Sequence, residues 1–175
     1  MSPTKSVCSR SLKNISKTYK KNNKEREELD YYATPTAEVR NILDALGYDF
    51  SGMTILEPCV GGGHMANAIK DYILDNEQGR ITLVGTDYKD RGFRDDDWKL
   101  SYGYDFLADE YPVDEADVII MNPPYSILEP FMIRALEIAK KKLIVLCRIQ
   151  GVARVAPPRS CTGEGVEKIV TNIKQ

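Results

Sequence analysis

The sequence Asn122-Pro123-Pro124-Tyr125 follows directly on the apolar run Ala116 to Met121. Asparagine ends the run with a side-chain carbonyl, and the backbone carbonyl of Pro123 is a second acceptor beside it. Two acceptors of this kind can grip both N–H bonds of a flat exocyclic amino group. They favour a pyramidal nitrogen whose lone pair is free to attack. Pro123 and Pro124 fix φ and remove two N–H donors, so the acceptors are held at little entropic cost. Tyr125 adds a face on which a flat group can stack, worth about 1–3 kcal/mol for a base. Asn-Pro is also an ordinary way to end a strand. What lies elsewhere in the chain separates the two readings.

The second constellation is Leu56-Glu57-Pro58-Cys59-Val60-Gly61-Gly62-Gly63-His64. It bends the chain between an apolar strand and a helix. Gly61 to Gly63 lack Cβ atoms, so a ligand can approach the backbone closely. Dinucleotide-binding turns look similar, and Asp87, at the end of the next strand, suits a ribose diol in either setting. Glu57 separates the two, because it stands where a pyrophosphate would be repelled and a cation favoured. Asp105 and Phe106 supply a carboxylate for an adenine amino group and a ring for its surroundings, and Tyr88 can pack against the same adenine. Together these residues fit S-adenosylmethionine.

These residues need elements that bring them together. Ala37 to Leu46 has helical spacing and stops at Gly47. The run from Met53 to Pro58 reads as a strand, Met65 to Leu74 as a helix and Arg80 to Asp87 as a second strand. Tyr102 to Phe106 reads as a short third strand, Ala116 to Met121 as a fourth, a helix opens at Pro130 and runs to Lys141, and Lys141 to Ile149 is a fifth strand. The acidic stretch Arg94 to Lys99 reads as a solvated loop. Strands apolar on both faces, alternating with amphipathic helices, predict an α/β fold with a mostly parallel sheet. In such sheets ligands bind outside the carboxyl ends of the strands. Glu57, Asp87, Asp105 and Asn122 all fall at those ends.

The 175 residues carry a net charge of −2 and are 42% hydrophobic, as expected of one globular domain. No apolar run is long enough to span a bilayer, so no membrane association is expected. Cys8, Cys59, Cys147 and Cys161 are scattered and His64 is the one histidine, which argues against a metal site. The cysteines read as reduced thiols of a cytoplasmic protein. Lys5, Arg10, Lys13, Lys17, Lys20, Lys21 and Lys24 make residues 1–28 a basic arm. Such an arm is either solvated and disordered or in contact with phosphates.

NPPY, LEPCVGGG (Leu56 to Gly63), GTDY (Gly85 to Tyr88) and DYYATP (Asp30 to Pro35) together resemble the amino-methyltransferases. More narrowly they resemble the small phage-type DNA adenine N6-methyltransferases, over about Asp30 to Gln150. The resemblance implies a three-layer Rossmann-like methyltransferase sheet in residues 29–150 and S-adenosylmethionine as methyl donor. It lays Tyr32, Thr34 and Pro35 against the methionine end of that cofactor, and it implies DNA as partner in a bacterial or phage-infected cell. RNA bases and protein glutamine are substrates of other NPPY enzymes. Pro58-Cys59 resembles the nucleophile pair of cytosine C5-methyltransferases, but there the cysteine follows the fourth strand, where NPPY stands here. Cys59 is therefore read as a loop residue near cofactor, and His64, in the first helical turn, as a packing or loop-ordering residue rather than a catalytic one. Residues 151–175 depart from the family's closing hairpin, although Val166 to Ile173 has strand character. An incomplete sheet is expected, and a non-catalytic remnant that binds cofactor or DNA is the contrasting reading.

Overall fold

The computed structural model describes residues 33–147 and the strand Glu167–Asn172. The basic arm, Tyr32 and most of the 151–175 tail lie outside the described residues. In chain order the elements are α1 (Thr36–Leu46), β1 (Thr54–Glu57), α2 (His64–Asp75), β2 (Thr82–Asp87) and β3 (Trp98–Tyr102). They continue with β4 (Ala116–Met121), a 3-10 turn (Tyr125–Ile127), α3 (Leu128–Ile138), β5 (Ala139–Cys147) and β6 (Glu167–Asn172). The sheet order is β3-β2-β1-β4-β5-β6, and every neighbouring pair is parallel.

Burial on both faces explains why the central strands are apolar throughout. Ile55, Val118, Ile120 and Ile144 join one cluster with Val39 and Leu43 of α1 and Met65 and Ile69 of α2. Their strand neighbours Leu56, Ile119, Met121, Leu143 and Val145 join a second cluster with Phe131, Ala135 and Leu136 of α3. Helices thus cover both faces and give the three-layer α/β, Rossmann-like architecture expected. Each fully buried aliphatic side chain contributes about 1.5–3 kcal/mol. No helix among the described residues is long and apolar enough to cross a membrane.

Three boundaries differ from the sequence reading. The third strand is Trp98–Tyr102, not Tyr102 to Phe106. Trp98 is buried at 4% exposure in the α1–α2 cluster, and this apolar anchor draws the end of the acidic stretch into the sheet. Second, α3 begins at Leu128, and Pro130 sits in its first turn, where a missing N–H breaks no helical bond. Third, α3 ends at Ile138, so Lys140 and Lys141 belong to β5. There they pair with Glu115 and Asp117 at the solvated end of the sheet. The strand character read for Val166 to Ile173 is met by Glu167–Asn172, which pairs in parallel with β5. The chain between them is long enough for the crossover that parallel pairing requires.

The turn from β1 into α2 depends on Gly63, which has φ 83°. A Cβ there would lie 2.0 Å from the Phe93 ring. Gly63→Ala is therefore expected to lower stability by about 1–3 kcal/mol from overpacking alone, with backbone strain added. Denaturant unfolding with an unchanged m-value checks this; a variant as stable as the wild type would show that Phe93 has room to retreat.

Candidate functional site

The neighbours β1 and β4 send their chains to opposite faces of the sheet, one to α2 and the other to α3. Among the described residues their carboxyl ends are left uncovered, and a cleft opens there. Its wall includes Thr34, Glu57, Pro58, Cys59, Gly61, Asp87, Tyr88, Asp105, Phe106, Asn122 and Pro124. Most of the residues singled out in the sequence therefore meet in one place.

Glu57 forms the floor. It is 1% exposed, and its Oε2 has no hydrogen-bond partner among the described residues. Burial pushes its carboxyl well above the usual range, and the nearby charge of Asp87 adds to the effect. Asp87, at the end of β2, ties down the glycine loop: Gly61 N–H donates to its Oδ2 at 2.8 Å and Lys89 N–H to its Oδ1 at 2.9 Å. Burial raises this carboxyl too, against the opposing pull of those N–H bonds and of Arg91. Val60 N–H donates to Thr86 O at 3.0 Å, so the loop is stitched to β2 at two points.

On the far side, Asp105 accepts the Leu107 N–H at 3.0 Å. It lies just beyond Gly103, in the turn that follows β3 rather than at a strand end. Phe106 is buried edge-on to Tyr111, 5.1 Å between centroids, and 5.0 Å from Phe131. The rings of Tyr88 and Tyr104, 56% and 40% exposed, stand at the mouth.

The β4 exit supplies the opposite wall. Asn122 Nδ2 donates to Thr34 Oγ1 at 2.7 Å, and Cys59 Sγ donates to Asn122 O at 3.6 Å. Burial pushes the Cys59 thiol far up and keeps it protonated, as suits a loop residue and not a nucleophile. Pro124 and Ile127 line the cleft. Pro123 is buried and, like Tyr125, is not among the wall residues, so neither stands where the sequence reading put it. The 3-10 turn that Tyr125 opens sets its ring against the α3-side core.

Pro35 likewise stands apart from the cleft, because it caps α1 with an extended backbone and accepts the Glu38 N–H at 3.0 Å. Gly63 shapes the loop without lining the site. His64 opens α2 and lines the cleft, its carbonyl accepting from Thr36 Oγ1 at 3.4 Å. Lys89, Arg91, Tyr104, Leu107, Ile127 and Phe131 are wall residues that the sequence reading did not single out. Tyr104 was the findable one, as an aromatic beside Asp105. The others carry no local signal.

A carboxyl whose folded-state value is raised contributes stability fully below the ordinary carboxylate range and loses it as pH climbs through the raised value. With the cleft empty, the wild type is therefore expected to lose stability between mildly acidic and mildly alkaline pH. Glu57→Gln should flatten that loss and be the more stable of the two at the alkaline end. Urea unfolding across this window decides it, and parallel profiles for the two proteins would contradict the assignment to Glu57.

No protein-family model matches the sequence, and no curated protein matches it. Among solved structures, the fold is similar to that of a Pyrococcus horikoshii protein provisionally described as an RNA methyltransferase, with a TM-score of 0.51 at 19% identity. That likeness covers 82% of this chain and 77% of the other. A second likeness is to a Streptococcus thermophilus protein provisionally described as a haemolysin, with a TM-score of 0.50 at 14% identity. It covers 74% of this chain but only 47% of the other. At these identities the shared property is the fold, a Rossmann-like sheet with helices on both faces.

Proposed function

We propose that this chain is an S-adenosylmethionine-dependent methyltransferase acting on the exocyclic amino group of a base, adenine N6 in DNA. One observation carries the reading: Asn122 lines the same cleft as Glu57, Asp87 and Asp105. A donor-holding acid set and an amine-orienting amide then share one solvent-screened space.

The chemistry of the cleft fits the cofactor. Glu57 Oε2 is a buried acceptor that lacks a donor among the described residues, and an amino-acid ammonium or a sulfonium field would relieve it. Asp87 would accept from the ribose hydroxyls and Asp105 from the adenine amino group. The backbone of Gly61 and Gly62 permits close approach. When bound, the cofactor supplies an electrophilic methyl group.

The chain's own residues then do the rest. Asn122 Oδ1 accepts an N–H bond of the target amine and holds its lone pair ready. Pro124 and Ile127 exclude water beside it. An amine paired in a duplex cannot reach this depth, so the base must leave the stack. Catalysis on this scheme is positioning and preorganised hydrogen bonding.

Tritiated methyl transfer to separate DNA, RNA and protein pools tests the proposal, with label expected on DNA adenine. Asn122→Ala is expected to reduce transfer by about 100-fold or more, with cofactor affinity by calorimetry nearly intact. Label confined to RNA or protein would overturn the DNA assignment. Equal loss of transfer and cofactor affinity would count against the role given to Asn122.

A further inference from the structure

The residues before α1 make a contact that the cofactor-side reading of Thr34 does not explain. Thr34 is 5% exposed, and its hydroxyl accepts from Asn122 Nδ2 at 2.7 Å across 88 positions of sequence. We propose that Thr34 is a positioning residue: its hydroxyl anchors the Asn122 amide through Nδ2, so that Oδ1 is presented to the target amine. This rests on the methyltransferase reading above and adds a positioning residue to the same site.

The two ends of a carboxamide are nearly alike in shape and opposite in polarity. A half-buried amide turns the end that finds a partner inward, because an unmet donor is penalised there. With Nδ2 committed to Thr34, Oδ1 is the end left to face the cleft. An acceptor at that place matches the amino group of adenine or cytosine. It opposes the keto oxygen of guanine, thymine or uracil.

Both partners of the contact are braced. The Asn122 carbonyl takes the Cys59 thiol at 3.6 Å, which steadies its backbone. Thr34 is followed by Pro35, which caps α1, and Thr36 Oγ1 donates to His64 O at 3.4 Å. The hydroxyl is thus delivered by a segment fixed to the start of α2, on the other side of the cleft from β4.

Thr34→Val removes the hydroxyl at constant shape, and Thr34→Ser keeps it. The Val variant is expected to lose about 10- to 100-fold in kcat for methyl transfer. Its cofactor Kd should stay within about threefold of wild type, and the Ser variant should recover kcat to within about threefold. In the ligand-free protein, the Asn122 side-chain amide resonance, identified by its loss in Asn122→Asp, should shift and broaden in the Val variant but not in the Ser variant. An unchanged kcat in the Val variant, a parallel loss of cofactor affinity, or failure of Ser to rescue would overturn the proposal. Should Val fail to fold, Thr34→Ala is read by the same outcomes. If the wild type methylates no DNA, RNA or protein, the functional reading fails by itself. The amide spectrum then judges Thr34 alone: a resonance indifferent to Thr34→Val overturns the orienting contact, and a displaced one supports it.

Discussion

The pairing of β1 with β4 determines where everything else can be. Ile55 lies beside Val118 and Leu56 beside Ile119, and all four are fully buried. Alternate residues face opposite helical layers, so a slip of one position would turn both core faces inside out. The register is fixed by that penalty. Since the two strands leave to opposite faces, no helix can close over their ends, and the gap falls between Glu57 and Asn122. The cleft is a product of topology, held open by the same apolar contacts that hold the domain together.

Within the gap, each acid first serves the fold. Asp87 uses an oxygen on Gly61 and the other on Lys89, and Asp105 ties back to Leu107. These bonds set the carboxylates in place before any ligand arrives. Glu57 is the exception, since burial costs it free energy and its Oε2 is returned no bond. A group that weakens the empty protein and waits for a donor is what a binding site looks like energetically. The dense two-sided core offsets that cost.

Much of this was legible in the chain. Apolar runs located β1, β2 and β4, the glycine turn located the loop, and Asp87 and Asn122 were placed at strand ends by pattern alone. The misreadings have a common cause, a charge or a proline outvoted by its surroundings. Trp98 is one apolar residue amid aspartates, yet burying its ring sets the strand. Lys140 and Lys141 extend the helical pattern on paper, but β5 takes them because their ammonium groups reach Glu115 and Asp117 at the sheet end. The Tyr125 ring follows the turn that its own backbone begins, which no side-chain pattern reveals. The bond between Thr34 and Asn122 joins distant segments through a hydroxyl and an amide, two groups that look equally at home in water.

The same reasoning explains why a cysteine can sit in the middle of such a site without reacting. Cys59 lies between the glycine loop and the β4 exit, and its thiol reaches the Asn122 carbonyl while its body packs against the α3-side cluster. Two carboxyls nearby and a dry setting oppose the thiolate, so nucleophilicity is suppressed by the field that favours a cation. A larger side chain would wedge the two walls apart, and a more polar one would bring water beside Glu57. Small, weakly donating and neutral, the thiol spaces the donor side from the acceptor side. The electrostatics that argue for a positively charged ligand are thus the electrostatics that keep Cys59 inert.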